Sequence, residues 1–474
     1  MTAPVPVRPR GPAAGAPAGR TSSAVWRPGW PLTALFVGYP LWWALGMGTL
    51  IVFVLVLPMA WELRRRRPVR VPPGFGLWVV FLLWVVASTV MLGIDPAGTL
   101  PGEATDRLIS VGFNLAGYVA VAVAMLYLGN LTEDEYPRAR AVRHLGGLFV
   151  VVVAGGLLGT FADQFAFTSP VEMLLPDSVA QNAFVQSLVH PTAAQLQQVL
   201  GYTAGRPAAP FGYTNTWGYA LSLLLGWFAI GWLRRPGGRR LAGVLVLALA
   251  AVPVVHSLNR GVWIGLGLTV VFAVVWLTRN GSVGALLGLA ASVVLVVVLV
   301  LTTPLTSTIQ QRLDNPKSDG IRGFTVSKTL EVVEESPVLG FGSTRRALGS
   351  SNSIAVGRDE DCSNCGNPLL GSNGQLWLLL IAQGVVGAAL YLGFFVRVLW
   401  AYRRDRSPLA AAAFLSIGLP FVYMFLYNAL VVPLLISFLS VALLWRNDQA
   451  RRAADDGTVR PAGRAPALAA GSAR

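Results

Sequence analysis

The stretch 306–377 reads TSTIQQRLDNPKSDGIRGFTVSKTLEVVEESPVLGFGSTRRALGSSNSIAVGRDEDCSNCGNPLLGSNGQLW, a long polar run with several arginines between two very apolar regions. Connections of this length are usually either functional or disordered. A helix is legible inside this one. Ser318 and Asp319 are N-cap candidates and Pro337 ends the run, while Val326, Leu330 and Val333 recur at helical spacing to form an apolar face. Arg322 belongs to the same face, one turn before Val326. Lys328, Glu331 and Glu335 point the other way. An arginine so placed either lays its stem on apolar surface with its head in solvent or serves a site, and the helix marks this loop as functional.

Composition sets the context for that loop. The chain has 474 residues, of which 54% are hydrophobic and only 12% charged, as in an integral membrane protein. A formal net charge of +15 would suggest nucleic-acid binding in a soluble chain. Here the arginines cluster beside apolar segments, as membrane topology requires, so nucleic acid is excluded as a partner and the lipid bilayer is the expected one. No cleavable signal peptide is expected. Residues 1–30 and 447–474 are rich in small residues and proline and read as disordered cytoplasmic ends.

Apolar runs follow one another at 31–46, 49–61, 75–93, 109–128, 145–163, 213–232, 241–256, 261–277, 283–301, 374–400, 409–427 and 429–445. On span length they predict an all-α polytopic membrane protein of about twelve transmembrane helices, or eleven if the first two form one kinked segment. Nine spans fall within 31–302 and the rest within 372–446. Arginine clusters at 64–70, 138–143, 234–240, 279, 397–406 and 446–452 fall in alternate loops, which places those loops and both termini in the cytoplasm of a multi-pass cell-membrane protein. The loops 164–211 and 303–371 are then extracytoplasmic, and the second carries short helices. Chemistry on that face has no access to cytoplasmic nucleotide sugars. It must use a substrate delivered by the membrane or from outside.

Several motifs lie on that outer side. SLNRGVWIGLG (257–267) puts Arg260 at a helix entrance beside Gly261, either as an anion site or as an interfacial anchor partnered by Trp263. Arg312, Arg322, Arg345 and Arg346 share the outer face. Several guanidinium groups converging on one cavity suit a diphosphate, since each donates bidentately and stays charged. GYTNTWGYA (212–220) places Asn215 at a span mouth, to cap the helix or bind a sugar hydroxyl. SPVLGFG (336–342) reads as a glycine turn that bends the chain back over the membrane domain. Ser372, Asn373 and Gln375 open the next span as a polar cluster. Cys362 and Cys365 form a C-x-x-C that reads first as a local disulfide, with unpaired thiols or a redox pair as alternatives. With histidines only at His144, His190 and His256, neither a metal site nor a nucleotide-binding loop is supported, and no cofactor is expected.

GYTNTWGYALSLLL, SLNRGVWIGLG, SDGIRGFTVSKTLEVVEESPVLGFG and GSNGQLWLLLIAQGVVGAALYL, in this order, resemble the O-antigen ligase and O-antigen polymerase (Wzy-type) family of membrane glycosyltransferases. The resemblance covers roughly residues 213–392. It implies a GT-C-like helical fold that moves a glycan, without metal, from a polyprenyl-diphosphate carrier to a glycan, lipid or protein acceptor in envelope or exopolysaccharide assembly. It also implies that Arg260 and Arg322 hold the diphosphate and stabilise it as leaving group, with Arg312 as a third member. Arg345, Arg346, Asn215 and Gln375 are further substrate-binding candidates. Family members carry a His-Asn pair where this chain has Ser372 and Asn373. Serine is not a general base near neutral pH, so either another group, Glu335, Asp319 or Asp361, takes the proton, or the chain uses a different acceptor chemistry, or it is inactive. The competing class is a non-catalytic transporter, flippase or binding subunit for the same lipid-linked glycan. Such a path would be lined by polar residues in mid-span, and these spans are almost free of them.

Overall fold

The computed structural model describes residues 27–197, 203–234, 237–302, 305–314, 317–348 and 367–455. The chain opens with α1 (Trp30–Val37) and α2 (Tyr39–Ala44), broken at Gly38, then turns through Gly46 into α3 (Leu50–Arg65). The first two apolar runs are thus separate segments rather than one kinked helix. Next come α4 (Phe75–Ala87), which tightens into a 3-10 turn at Ser88–Met91, α5 (Ala104–Asn130) and α6 (Arg138–Phe161).

The loop after α6 holds three short helices, α7 (Pro170–Met173), α8 (Asp177–Ala180) and α9 (Ala183–Val189). It also holds an antiparallel hairpin of β1 (Ala194–Gln197) and β2 (Ala204–Pro207), so the expectation of an all-α chain is corrected at this one place. After it come α10 (Thr214–Phe228), which loosens into a π turn at Ala229–Leu233, α11 (Gly238–His256), α12 (Arg260–Arg279) and α13 (Val283–Thr302). The late loop contributes α14 (Leu305–Asp314) and α15 (Lys317–Glu335). Only the second of these was legible in the sequence. The last helices are α16 (Gln375–Tyr402), α17 (Pro408–Gly418), α18 (Pro420–Tyr423) and α19 (Val432–Asp455). α19 runs past the expected start of a disordered tail at 447, because Asn447 is buried against Asp405 and Ser407.

Among the described residues, seven helices are long and apolar enough to cross a membrane: α5, α6, α10 with its π turn, α11, α12, α13 and α16. The other apolar runs are also helical but shorter, broken or enclosed. α19 is enclosed: every residue from Val432 to Asn447 is buried, as expected of a helix that is apolar on all sides through Trp445. It packs on α5, α10, α16 and α17. Trp78 of α4 meets Phe438 of α19 at 4.6 Å between ring centroids, and the Trp227 indole donates to both Ser416 (3.0 Å) and Ser440 (3.1 Å), joining α10, α17 and α19.

Charged side chains gather at one end of the bundle. Arg66 pairs with Glu62 (2.8 Å) and Glu135 (2.7 Å), Glu133 with Arg138 (2.7 Å) and Arg446 (2.8 Å), and Asp405 with Arg451 (3.0 Å). These residues come from the loops that arginine counting assigns to a single side. The β-hairpin, the α11–α12 turn, α15 and the start of α16 belong to the loops of the opposite end.

α15 and the turn after it are locked to α16 by backbone. Phe341 N donates to Ile381 O (2.7 Å), Gly342 N to Ala382 O (2.8 Å) and Val385 N to Pro337 O (2.7 Å), across a break in α16 at Gly384. Gly340 (φ 66°) and Gly384 (φ 66°) both adopt left-handed geometry there, and a Cβ on Gly384 would lie 2.3 Å from Val338 O. PVLGFG therefore does more than bend over the membrane domain, since it inserts into a broken span.

Candidate anion site opposite the ionic end of the bundle

The site starts at the α11–α12 turn. α12 is a 20-residue helix whose first residue is Arg260 and whose N-cap, Asn259, makes no capping bond to its own helix. The Asn259 side chain is used elsewhere: its Nδ2 donates to Asn215 Oδ1 (3.1 Å), and its Oδ1 accepts a short hydrogen bond from the Tyr427 hydroxyl. Asn215 is the second residue of α10 and does not cap that helix. Gly261, expected to admit a ligand or backbone, admits the tyrosine instead, because a Cβ there would lie 2.2 Å from Tyr427 Oη.

Arginines from distant parts of the chain come to this network. The Arg322 turn of α15 is linked to this network through the start of α16, where Asn373 bonds Thr325 and Gln375 N donates to Tyr427 O (2.9 Å). Arg322 arrives on α15. Arg206 arrives on β2 and is buried, with its Nε donating to Ser257 O (2.6 Å) and its Nη1 to Gln197 Oε1. Arg260 is half-buried and directly follows Asn259 in the chain. Positively charged residues and the N-terminus of a long helix thus lie on neighbouring elements, an arrangement that favours an anion.

The face of α15 turned to the protein differs from the expected one. Thr325, Thr329, Val332, Val333 and Ser336 are buried, whereas Leu330 is 46% exposed. Small polar residues follow Arg322 along the inner stripe, and Leu330 faces outward. Thr325 connects this helix to the next span: its Oγ1 donates to Arg322 O (3.0 Å) and accepts from Asn373 Nδ2 (2.6 Å). Asn373 is therefore brought to the Arg322 turn. Ser372 is exposed and donates to Leu369 O (2.7 Å).

Other candidates lie elsewhere or are occupied. Glu335 is at the far end of α15, thirteen residues and about 20 Å from Arg322, where it accepts from Ala97 N (3.0 Å). It is not the acid beside the arginines. Asp319 is three residues before Arg322 on the same helix. Gln375 is buried with both amide ends engaged, Nε2 donating to Tyr118 Oη (3.2 Å) and Oε1 accepting from Ala429 N (2.9 Å), so it fixes the chain around Tyr427.

Arg345 is buried, and its guanidinium donates to the carbonyls of Met91, Leu92, Ile94, Phe341, Ser343 and Thr344. Burial, with Arg107 alongside, brings its pKa down to about 10 against the pull of Asp95, so it remains charged at neutral pH as a structural clamp. Arg346 is exposed on the rim, reaching Asn367 O (3.3 Å). Arg312 falls on α14. Cys362, Cys365 and Asp361 lie outside the described residues.

Sequence reading missed Arg206 and Tyr427. Nothing around either in the sequence marks them, and only the return of the hairpin and of the α18–α19 connection brings them to Asn259.

Comparison with known families gives the decisive finding for this region. Residues 245–364 match the family model described as O-antigen ligase (Wzy_C). The chain carries an O-antigen ligase domain. That domain takes in the SLNRG turn, α12 through α15 and the Arg345 clamp, and ends before Ser372 and Asn373. The O-antigen ligase family is one of glycosyltransferase-type enzymes in glycan assembly. No curated protein and no solved structure matches the chain.

Proposed function

We propose that the chain is an extracytoplasmic glycosyltransferase, a polysaccharide ligase or polymerase of GT-C-like architecture with about twelve spans and both termini in the cytoplasm. It moves a glycan from a polyprenyl-diphosphate carrier to a glycan, lipid or protein acceptor. The observation that carries this reading is that the turn bearing Arg260, braced by Arg206 and Tyr427, and the Arg322 turn of α15, tied to α16, belong to elements linked around Tyr427, inside or against the O-antigen ligase region.

In this reading Arg260, with the α12 N-terminus, and Arg322 hold the diphosphate. As the bond from the anomeric carbon to the phosphate oxygen breaks, negative charge grows on that oxygen. Fixed guanidinium groups stabilise it there without reorganisation and need no metal. Asn373, tied to the Arg322 turn, is the residue of the Ser372 and Asn373 pair placed to contact the substrate held there. Ser372 cannot take the acceptor proton, and Asp319, one helical turn before Arg322, is the acid assigned to it.

The test is transfer in proteoliposomes with purified protein and a pool of lipid-linked glycans, without metal or nucleotide. Release of polyprenyl diphosphate by the native chain, reduced ~10²–10³-fold in Arg322→Ala, supports the reading. Binding of donor without any release moves the function to transport or presentation of the same lipid-linked glycan.

A further inference from the structure

The α11–α12 turn is strained. Leu258 has φ 53°, the one non-glycine residue in the left-handed region among those described, and it stands two positions before Arg260. A leucine in this region persists only where its surroundings enforce it. Strand β2 does so at two points. Ala204 packs on the buried Leu258 side chain, and two residues on, the Arg206 Nε donates to Ser257 O at 2.6 Å. The hairpin is itself held: Gln197 on β1 accepts from the Arg206 guanidinium, and Thr214 at the start of α10 donates to Arg206 O (3.2 Å). On the far side of the turn, Tyr427 and Asn215 fix the Asn259 amide.

We infer that the β1–β2 hairpin of the first outer loop is a working part of the anion site, with Arg206 a positioning residue that holds the strained Leu258 turn and so aims Arg260 and the α12 N-terminus. The reaction it serves rests on the reading above. A guanidinium is needed rather than a simple cation, because the brace uses two donors of one planar fork, one to a carbonyl and one to an amide oxygen.

The experiment compares Arg206→Ala, Arg206→Lys, Leu258→Gly and the double variant Arg206→Ala/Leu258→Gly. It reads kcat and donor KM in proteoliposomes, together with amide hydrogen exchange across residues 255–262. Arg206→Ala should lower kcat/KM about 100-fold, the scale of a small misplacement, and speed exchange at 257–260. Arg206→Lys should be nearly as impaired. Leu258→Gly alone loses the buried contact with Ala204 while relieving the strained φ, so kcat/KM should fall much less than in Arg206→Ala. In the double variant glycine adopts the turn without strain, so roughly a tenfold recovery and slowed exchange are expected. Recovery by lysine but not by glycine would mean that Arg206 acts through its charge and would overturn the proposal, as would unchanged exchange in Arg206→Ala. Should that variant fail to fold, Gln197→Ala removes the grip on the guanidinium from β1 and carries the same test. If the native chain transfers no glycan, the functional reading fails, while the exchange data still decide the brace.

Discussion

Asn373 Nδ2 donates to Thr325 Oγ1 at 2.6 Å, and the same hydroxyl donates to the carbonyl of Arg322 at 3.0 Å. The start of α16 is thereby tied to the turn of α15 that carries the arginine. Asn373→Ala removes one partly buried hydrogen bond, of the order of 1 kcal/mol. Transfer should fall by roughly fivefold if that energy is expressed in positioning, with protein level and melting little changed. Thr325→Val should reproduce the loss, and the double variant should be no worse than either single one, since both delete the same link. Additive losses in a kinetic double-mutant cycle would refute the coupling.

The acid on the Arg322 helix gives a second test. If Asp319 accepts the acceptor proton, Asp319→Asn should lower kcat about 10²–10⁴-fold with little change in donor binding. Glu335→Gln should leave kcat unchanged, because Glu335 is about 20 Å further along α15 and holds Ala97 N. The reverse ranking in steady-state kinetics would remove Asp319 from the mechanism.

Neighbouring arginines should behave oppositely. Arg345→Ala leaves the carbonyls of Met91, Leu92, Ile94 and Phe341 without their donor. It should destabilise the protein by ~3 kcal/mol or more, read as reduced yield and a lower melting temperature in detergent. Arg346→Ala, on the exposed rim, should change stability by less than about 0.5 kcal/mol. Equal effects would mean that the clamp is not formed.

At the break in α16, Gly384→Ala puts a Cβ 2.3 Å from Val338 O in a left-handed backbone position. A loss on the order of 3 kcal/mol or more is expected, with release of the PVLGFG turn seen as new protease cleavage near 337–342. A variant with native stability and protection would show that the insertion is dispensable.

Orientation can be read directly by labelling. In a Cys362→Ser/Cys365→Ser background, a membrane-impermeant maleimide should label Glu331→Cys in intact cells and Asp134→Cys only after permeabilisation. Glu331 is exposed on α15, and Asp134 is exposed in the ionic α5–α6 loop. The opposite pattern would place the arginine site in the cytoplasm and end the extracytoplasmic reading.

Much of this architecture is carried by local sequence. Each apolar run forms helix, because length and hydrophobicity are local and survive any packing. Alternate arginine clusters foretell one ionic end for the same reason. Lys317–Glu335 is helical and stops before Pro337 as the sequence indicates, although it starts at Lys317, so the cap candidates Ser318 and Asp319 lie inside it, and Arg260 and Arg322 stand out as arginines at the edges of apolar or amphipathic segments. The sequence by itself thus determined a polytopic helical protein and the late loop with its helix, and it singled out Arg260 and Arg322 as candidates. Tertiary structure alone decided which of the remaining polar side chains are already engaged. Gln375 and Arg345 resemble ligand-binding residues in sequence, but their partners, Tyr118, Ala429 and the 91–94 carbonyls, are remote in the chain. The same holds for Thr325 and Thr329, which face inward while Leu330 faces out, since the rotation of a helix is set by what packs on it. Arg206 and Tyr427 enter the site only because a hairpin and an interhelical connection fold back on Asn259, and a contact between residues 168 positions apart leaves no mark on the sequence around either one.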